Sequence, residues 1–248
     1  MHKRKAICIS TLVLIVAMNT DAPAEPPVIT IDGTAITYEG NLSEKNIDLF
    51  LEMAKGRKIE TLVINSGGGD ITAGMELGSW VFKGNIDVVV EGICMSSCAN
   101  YVFTAGHHKT ITNGSIVGWH GNALQESGKS DNDVREAVTR SFNSLSEEER
   151  KKLNLEELVG KSIEQMRGYL VATKKRQADF FTKIGVDEYV CRVGNEKYGA
   201  VDFFILSVED MGRFGIGNVQ APENYEKIDL TPYHNKGKKI QYIKLKDD

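Results

Sequence analysis

The sequence predicts an α/β fold built on a parallel sheet, and three observations predict it. Strand, turn and helix follow one another twice between Thr61 and Thr104, the strands are short and continuously apolar, and each strand-to-helix turn carries glycine or serine. With 248 residues, 41% of them hydrophobic and 26% charged, the chain has room for one large domain or two small ones, and its composition is that of a globular protein.

The chain starts with Lys3, Arg4 and Lys5, an apolar run from Ala6 to Met18, and the small-x-small triplet Ala22, Pro23, Ala24. This pattern predicts a signal peptide over residues 1–24, cleaved after Ala24, with an uncleaved N-terminal anchor as the alternative. The run of about 13 residues is shorter than the roughly 20 that a membrane-spanning helix needs, and no other segment reads as a span. Cleavage leaves 27 basic against 33 acidic residues, a net charge of −6 where the full chain has −4. An acidic chain without a clustered basic face does not suit phosphate neutralisation, so no nucleic-acid partner is expected. The lysines at 236, 238, 239, 244 and 246 read as a solvated end.

In the exported chain Cys94, Cys98 and Cys191 remain. An odd count in an oxidising compartment predicts one disulfide and one free thiol, with the pairing open. Zinc held by Cys94, Cys98 and nearby histidines is a weaker reading, because the spacing fits no standard ligand pattern, and neither metal nor cofactor is expected.

Val28 to Tyr38 is rich in β-branched residues interrupted by Asp32 and Gly33, which predicts a hairpin. Ser43 caps a helix with Ile47, Phe50, Leu51 and Ala54 at helical spacing, stopped by Gly56. Thr61 to Ile64 reads as a buried parallel strand, ending in Asn65, Ser66 and the run Gly67, Gly68, Gly69 before a helix from Ile71 to Phe82. The order repeats as strand Val88 to Val90, turn Gly92 to Ser97 and helix Ala99 to Thr104, with Gly106 as C-cap. A third strand spans Ser115 to Trp119. Residues 130–190 then predict a charged helical insertion in which Met166, Tyr169, Leu170, Thr173, Phe180 and Phe181 trace one apolar stripe.

Functional groups in parallel sheets gather where strands end and helices begin. The glycine run sits at one such junction, where a turn without Cβ atoms lets a substrate carbonyl approach backbone N–H groups as an oxyanion hole requires. Ser96 and Ser97 sit at the next, beside the free amides and positive end of a helix. His120 ends the third strand, where it can serve as base, whereas His107 and His108 fall in a polar turn and are expected to be solvated.

The segment Ile64 to Met75, INSGGGDITAGM, closely resembles the corresponding segment of the Clp protease proteolytic subunit. GICMSSCANYVFTAG, from Gly92 to Gly106, resembles that family's serine turn and following helix, and Lys109 to His120 is similar to the strand that delivers its histidine. The resemblance covers roughly a third of the chain, in order. It implies a Clp/crotonase-type spiral of βαβ units over residues 25–248, with the helical insertion. It also implies a serine peptidase or related acyl hydrolase acting on peptide or protein substrates without a cofactor, and self-association into an oligomer. Gly68 or Gly69 and the residue after the nucleophile would supply the oxyanion amides. Counting from Gly92 selects Ser96 as nucleophile and counting back from Ala105 selects Ser97; small residues before the family's serine favour Ser97, followed by Cys98. His120 would be the base. Asp202, before Phe203 and Phe204, would complete the triad, with Asp187 as the other acid. Two rival readings are a catalytically inactive protein of this fold that serves in binding or assembly, and acyl-thioester chemistry of the crotonase kind, which lacks a basic cluster to hold its coenzyme.

Overall fold

The computed structural model describes residues 26–124, 130–234 and 239–246. The predicted signal peptide lies outside them, as do Lys236 and Lys238. Among the described residues, no helix is long and apolar enough to cross a membrane.

The described residues form two units, one holding 26–124, 175–234 and 239–246 and the other the helical segment 130–174. The first is the α/β unit. Its opening hairpin pairs β1 (Val28–Asp32) with β2 (Ala35–Glu39) in antiparallel register, and Gly33 makes the turn at φ +56°. The side chain of Ser43 accepts the N–H of Asn46 and starts α1 (Glu44–Ala54). The sheet then turns parallel: β2 pairs β3 (Thr61–Ser66), which pairs β4 (Asp87–Met95). Helix α2 (Ile71–Gly84) makes the crossover, capped by Asp70 and closed by Asn85 in the left-handed region.

Strand β4 is the principal departure from the sequence reading, which ended it at Val90 and began a turn at Gly92. Gly92 takes φ +95°, the register against β3 shifts after Ile64, and pairing resumes at Cys94 opposite Ser66. Side chains satisfy the disturbed backbone: Ser115 Oγ accepts the Gly92 N–H at 2.8 Å and Asn65 Oδ1 accepts the Ile93 N–H at 3.1 Å. A bulge satisfied in this way lets a strand run on. The first half of β4 therefore pairs β5 (Lys109–Ile111), and the second half pairs β6 (Ile116–Gly118). After β4 comes a π-helix, Cys98–Phe103.

Helix α3 (Asp131–Asn143) and the short α4 (Glu147–Arg150) are each opened by a serine capping box, from Ser130 and Ser146. Both belong to the helical unit, as does the first part of α5 (Leu155–Ile184). Within that unit Arg135 holds Glu156 through two hydrogen bonds of 2.7 and 2.9 Å, and Arg167 holds Asp131 at 2.7 Å. The predicted stripe on α5 is broken, since Tyr169 is exposed while Thr173, Phe180 and Phe181 are buried.

Beyond the insertion, α6 (Val193–Tyr198) leads to β7 (Phe203–Leu206), and Ser207 caps α7 (Val208–Arg213). Strand β8 (Val219–Gln220) extends the sheet beside β5, and α8 (Thr231–His234) follows. Lys239, Lys244 and Lys246 are exposed, as expected, while the apolar residues among them belong to the core. Ile240 and Ile243 are buried in β9 (Ile240–Ile243), which pairs β7 in parallel and takes its backbone partner from that strand. The architecture is thus the expected α/β arrangement of parallel strands and crossover helices, with its core between the main sheet, α1, α2 and the π-helix.

Candidate functional site

Three segments meet at the carboxyl end of β4. Met95 pairs Gly118 in parallel register, and the next residue continues the ladder, with Ser96 N–H donating to Gly118 O at 3.0 Å. Adjacent parallel strands ending at the same level bring the residues beyond them together. The hydroxyl Oγ of Ser96 lies 2.6 Å from Nε2 of His120, a hydrogen bond in which the serine donates when the imidazole proton is on Nδ1.

Ser96 stands at φ +56°, in the left-handed region that a non-glycine residue occupies at a cost of about 1–2 kcal/mol. This conformation turns the strand sharply into the π-helix and leaves the side chain half-buried. Ser97 does something else. It is only 2% exposed, and its hydroxyl donates to Gly69 O at 2.8 Å, tying the serine turn to the glycine turn. Of the two serines left open by the sequence, the one at hydrogen-bond distance from His120 is Ser96. Ser97, which the family pattern favoured, is turned away because a right-handed residue after a left-handed one sends consecutive side chains in different directions.

The glycine turn is packed against the serine turn as closely as backbones allow. A Cβ on Gly68, at φ +93°, would stand 2.5 Å from Met95 O, 2.6 Å from Ser96 Cβ and 2.9 Å from Ser97 N. The Gly68 N–H is occupied, donating to Ser66 Oγ at 3.1 Å. Gly69 is held differently: it bridges Leu42, whose N–H donates to Gly68 O and whose carbonyl accepts from Asp70. That bridge uses the neighbours of Gly69 and leaves its own N–H without a hydrogen bond among the described residues, at an exposed position. The N–H of Ser97 opens a helix, where no intrahelical acceptor exists. A hydroxyl, an imidazole and two amides of this kind can carry out acyl transfer, the amides receiving the charge that develops on an attacked carbonyl.

His120 is positioned from two sides. Trp119 and Phe204 exchange backbone hydrogen bonds of 2.9 and 2.8 Å, and continuing that antiparallel register by one residue sets His120 opposite Phe203. The two rings lie 4.4 Å apart. From the π-helix, Asn100 Nδ2 donates to Gly121 O at 2.8 Å and so fixes the residue after the histidine. Gln177 serves the same segment, accepting from Tyr101 and from the Ala123 N–H. Neither Asn100 nor Gln177 was legible as part of the site, since a buried amide side chain leaves no local signal in a helical pattern.

Asp202 sits one residue before Phe203, opposite Gly121 when the same register is continued, and its Oδ2 accepts the Lys239 N–H at 3.1 Å. Asp187 caps a short helix through the Tyr189 N–H. Cys98 is bonded to Cys94, with Cα atoms 5.2 Å apart, and Cys191 is the free, buried thiol, its pKa raised by burial. The disulfide closes a ring around Met95, Ser96 and Ser97. It also takes both sulfurs out of any zinc site.

No protein-family model matches the chain, and no curated protein sequence does. Among solved structures it is similar to a single-residue mutant of ClpP1 from Listeria monocytogenes, at 17% identity and a TM-score of 0.43 over 80% of this chain and 96% of that one. It is also similar to an enoyl-CoA hydratase from Mycobacterium avium subsp. paratuberculosis K-10, at 13% identity and a TM-score of 0.28, over 39% of this chain and 50% of that one. A third likeness is to a protein described as an enoyl-CoA hydratase/isomerase from Acinetobacter baumannii, at 10% identity and a TM-score of 0.30, covering 64% and 96%. Likenesses this distant assign no activity, and the functional reading rests on the geometry of the site.

Proposed function

We propose that this chain is an exported serine hydrolase acting on a peptide or ester carbonyl, with Ser96 as nucleophile and His120 as general base. One observation carries the reading: a serine in a left-handed strand-to-helix turn with its Oγ 2.6 Å from an imidazole nitrogen. Ser96 Oγ attacks the carbonyl carbon while His120 takes its proton, then returns it to the leaving group as the acyl-enzyme forms. Water repeats the sequence and releases the acid. The amides of Ser97 and Gly69 stabilise the tetrahedral oxyanion, and Asp202 orients the imidazole. Peptide or protein substrates and self-association are expected of it, and the basic, apolar N-terminus supports export to the periplasm or beyond.

The other reading is an inactive binding or assembly protein on the same scaffold, favoured by the engagement of Asp202 Oδ2 with the Lys239 backbone. A fluorophosphonate probe separates the two. Labelling that disappears in Ser96→Ala and persists in Ser97→Ala supports the hydrolase. An unlabelled wild type that is folded supports the binding protein.

A further inference from the structure

At the opposite end of β4 from Ser96, roughly 25 Å away along nine residues of strand, three potential ligand atoms converge. Asp87 opens the strand, and His107 and His108 form the turn before β5. Nδ1 of His108 lies 3.1 Å from Asp87 Oδ1 and Nδ1 of His107 lies 3.4 Å from the same oxygen, with all three ligand atoms within 4.8 Å of one another. Both histidines are solvated, as the polar turn predicts, and their rings stand 4.3 Å apart beside one carboxylate.

We propose that Asp87, His107 and His108 form a binding site for one divalent transition-metal ion of the zinc type. Ligand atoms about 2.0–2.1 Å from a tetrahedral zinc are separated from one another by about 3.3–3.4 Å, and the two measured separations bracket that edge. The 3.4 Å contact is long for an N–H···O hydrogen bond, whereas it suits two ligands on a shared ion.

The backbone holds the three residues ready. His107 N–H donates to Ile86 O at 2.9 Å, Val88 N–H to His108 O at 2.8 Å, and Asn218 Nδ2 to His107 O at 3.2 Å. The His108 N–H donates to Asp87 Oδ1 at 3.0 Å, fixing the carboxylate as outer-shell partners of metal ligands do. Glu60, whose carbonyl takes the Asp87 N–H at 2.9 Å, places a second carboxylate nearby, itself paired with Lys58. Two imidazoles and a carboxylate select zinc, nickel or copper over calcium or magnesium. The histidines are 52% and 60% exposed, so water completes the coordination and the ion reaches the site from solvent.

Zinc ion titrated into the untagged, oxidised full chain, followed by calorimetry and by competition with a chromophoric chelator, tests this. One ion per chain should bind with a dissociation constant on the order of micromolar, weaker than four-ligand structural sites, and should raise the melting temperature by several degrees. His107→Ala, His108→Ala and Asp87→Asn, all at exposed or half-exposed positions, should each weaken binding at least about tenfold while the metal-free melting temperature changes little. A wild type that binds no zinc up to millimolar concentration overturns the proposal. So does undiminished binding by the His107→Ala/His108→Ala double variant.

Discussion

Substituting Gly68 by alanine tests whether the glycine turn and the serine turn act as one device. The new Cβ meets Met95 O at 2.5 Å, Ser96 Cβ at 2.6 Å and Ser97 N at 2.9 Å, and none of these belongs to the free end of a side chain. Relieving the contact to an ordinary carbon separation of about 3.5 Å moves Ser96 by nearly 1 Å. Left-handed strain at φ +93° adds about 1–2 kcal/mol and the overpacking about 1–3 kcal/mol more. The expected loss is then about 2–5 kcal/mol, which for a chain of this size lowers the melting temperature by roughly 10 °C. A displacement near 1 Å breaks the 2.6 Å contact with His120 and should slow fluorophosphonate labelling by about 100-fold. Gly56→Ala is the control, because Gly56 has φ +72° but no atom within 4 Å of its added Cβ. It should carry only the strain cost and leave the labelling rate unchanged. Thermal melting and labelling kinetics on both variants give the answer: Gly68→Ala labelled at the wild-type rate, or Gly56→Ala equally impaired, refutes the coupling.

The triad acid is tested by Asp202→Asn, which should slow labelling by about 100-fold or more if Asp202 orients the His120 imidazole, while Asp187→Asn leaves the rate intact. The reverse result transfers the role to Asp187, and no effect from either removes the acid from the mechanism. Lys109 gives a pH test. It is 5% exposed, its ammonium donates to Gly106 O and Gly217 O, and burial pulls its pKa from 10.5 down to about 8. Between pH 8 and 10.5 the unfolded chain therefore keeps a proton that the folded chain has released, so stability rises with pH across that window, by at most about 3 kcal/mol. Two groups oppose the rise: the buried Cys191 thiol, whose pKa burial raises, above about pH 9, and Tyr38, pushed up to about 12 by burial, above about pH 10. The wild-type denaturant midpoint minus that of Lys109→Met, which cancels the Cys191 contribution common to both, should increase from pH 8 to 10. A difference between the two that is flat or falls across that range sinks the argument.

Features set by near neighbours in the chain were legible in the sequence. The Gly33 turn, the Ser43 cap, the apolar strand at Thr61 and the start of α2 each depend on residues within about one helical turn, and each formed as expected. So did the convergence of a glycine turn, a serine turn and His120, because parallel crossovers send all their strand ends to one edge. The true length of β4, by contrast, depends on Asn65 and Ser115 reaching its bulge from 28 and 23 residues away. Tyr169 failed the stripe and the tail became a strand for similar reasons of partner rather than pattern.

The amino-acid order alone therefore determined the class of fold and the residue types available for chemistry, since strand, turn and helix preferences are local. Only the folded chain set Ser96 rather than Ser97 beside His120, paired Cys94 with Cys98, and brought His107 and His108 to Asp87. Those outcomes are fixed by a single backbone angle and by strand registers, which are settled by packing across the whole sheet and leave no mark on the adjacent sequence.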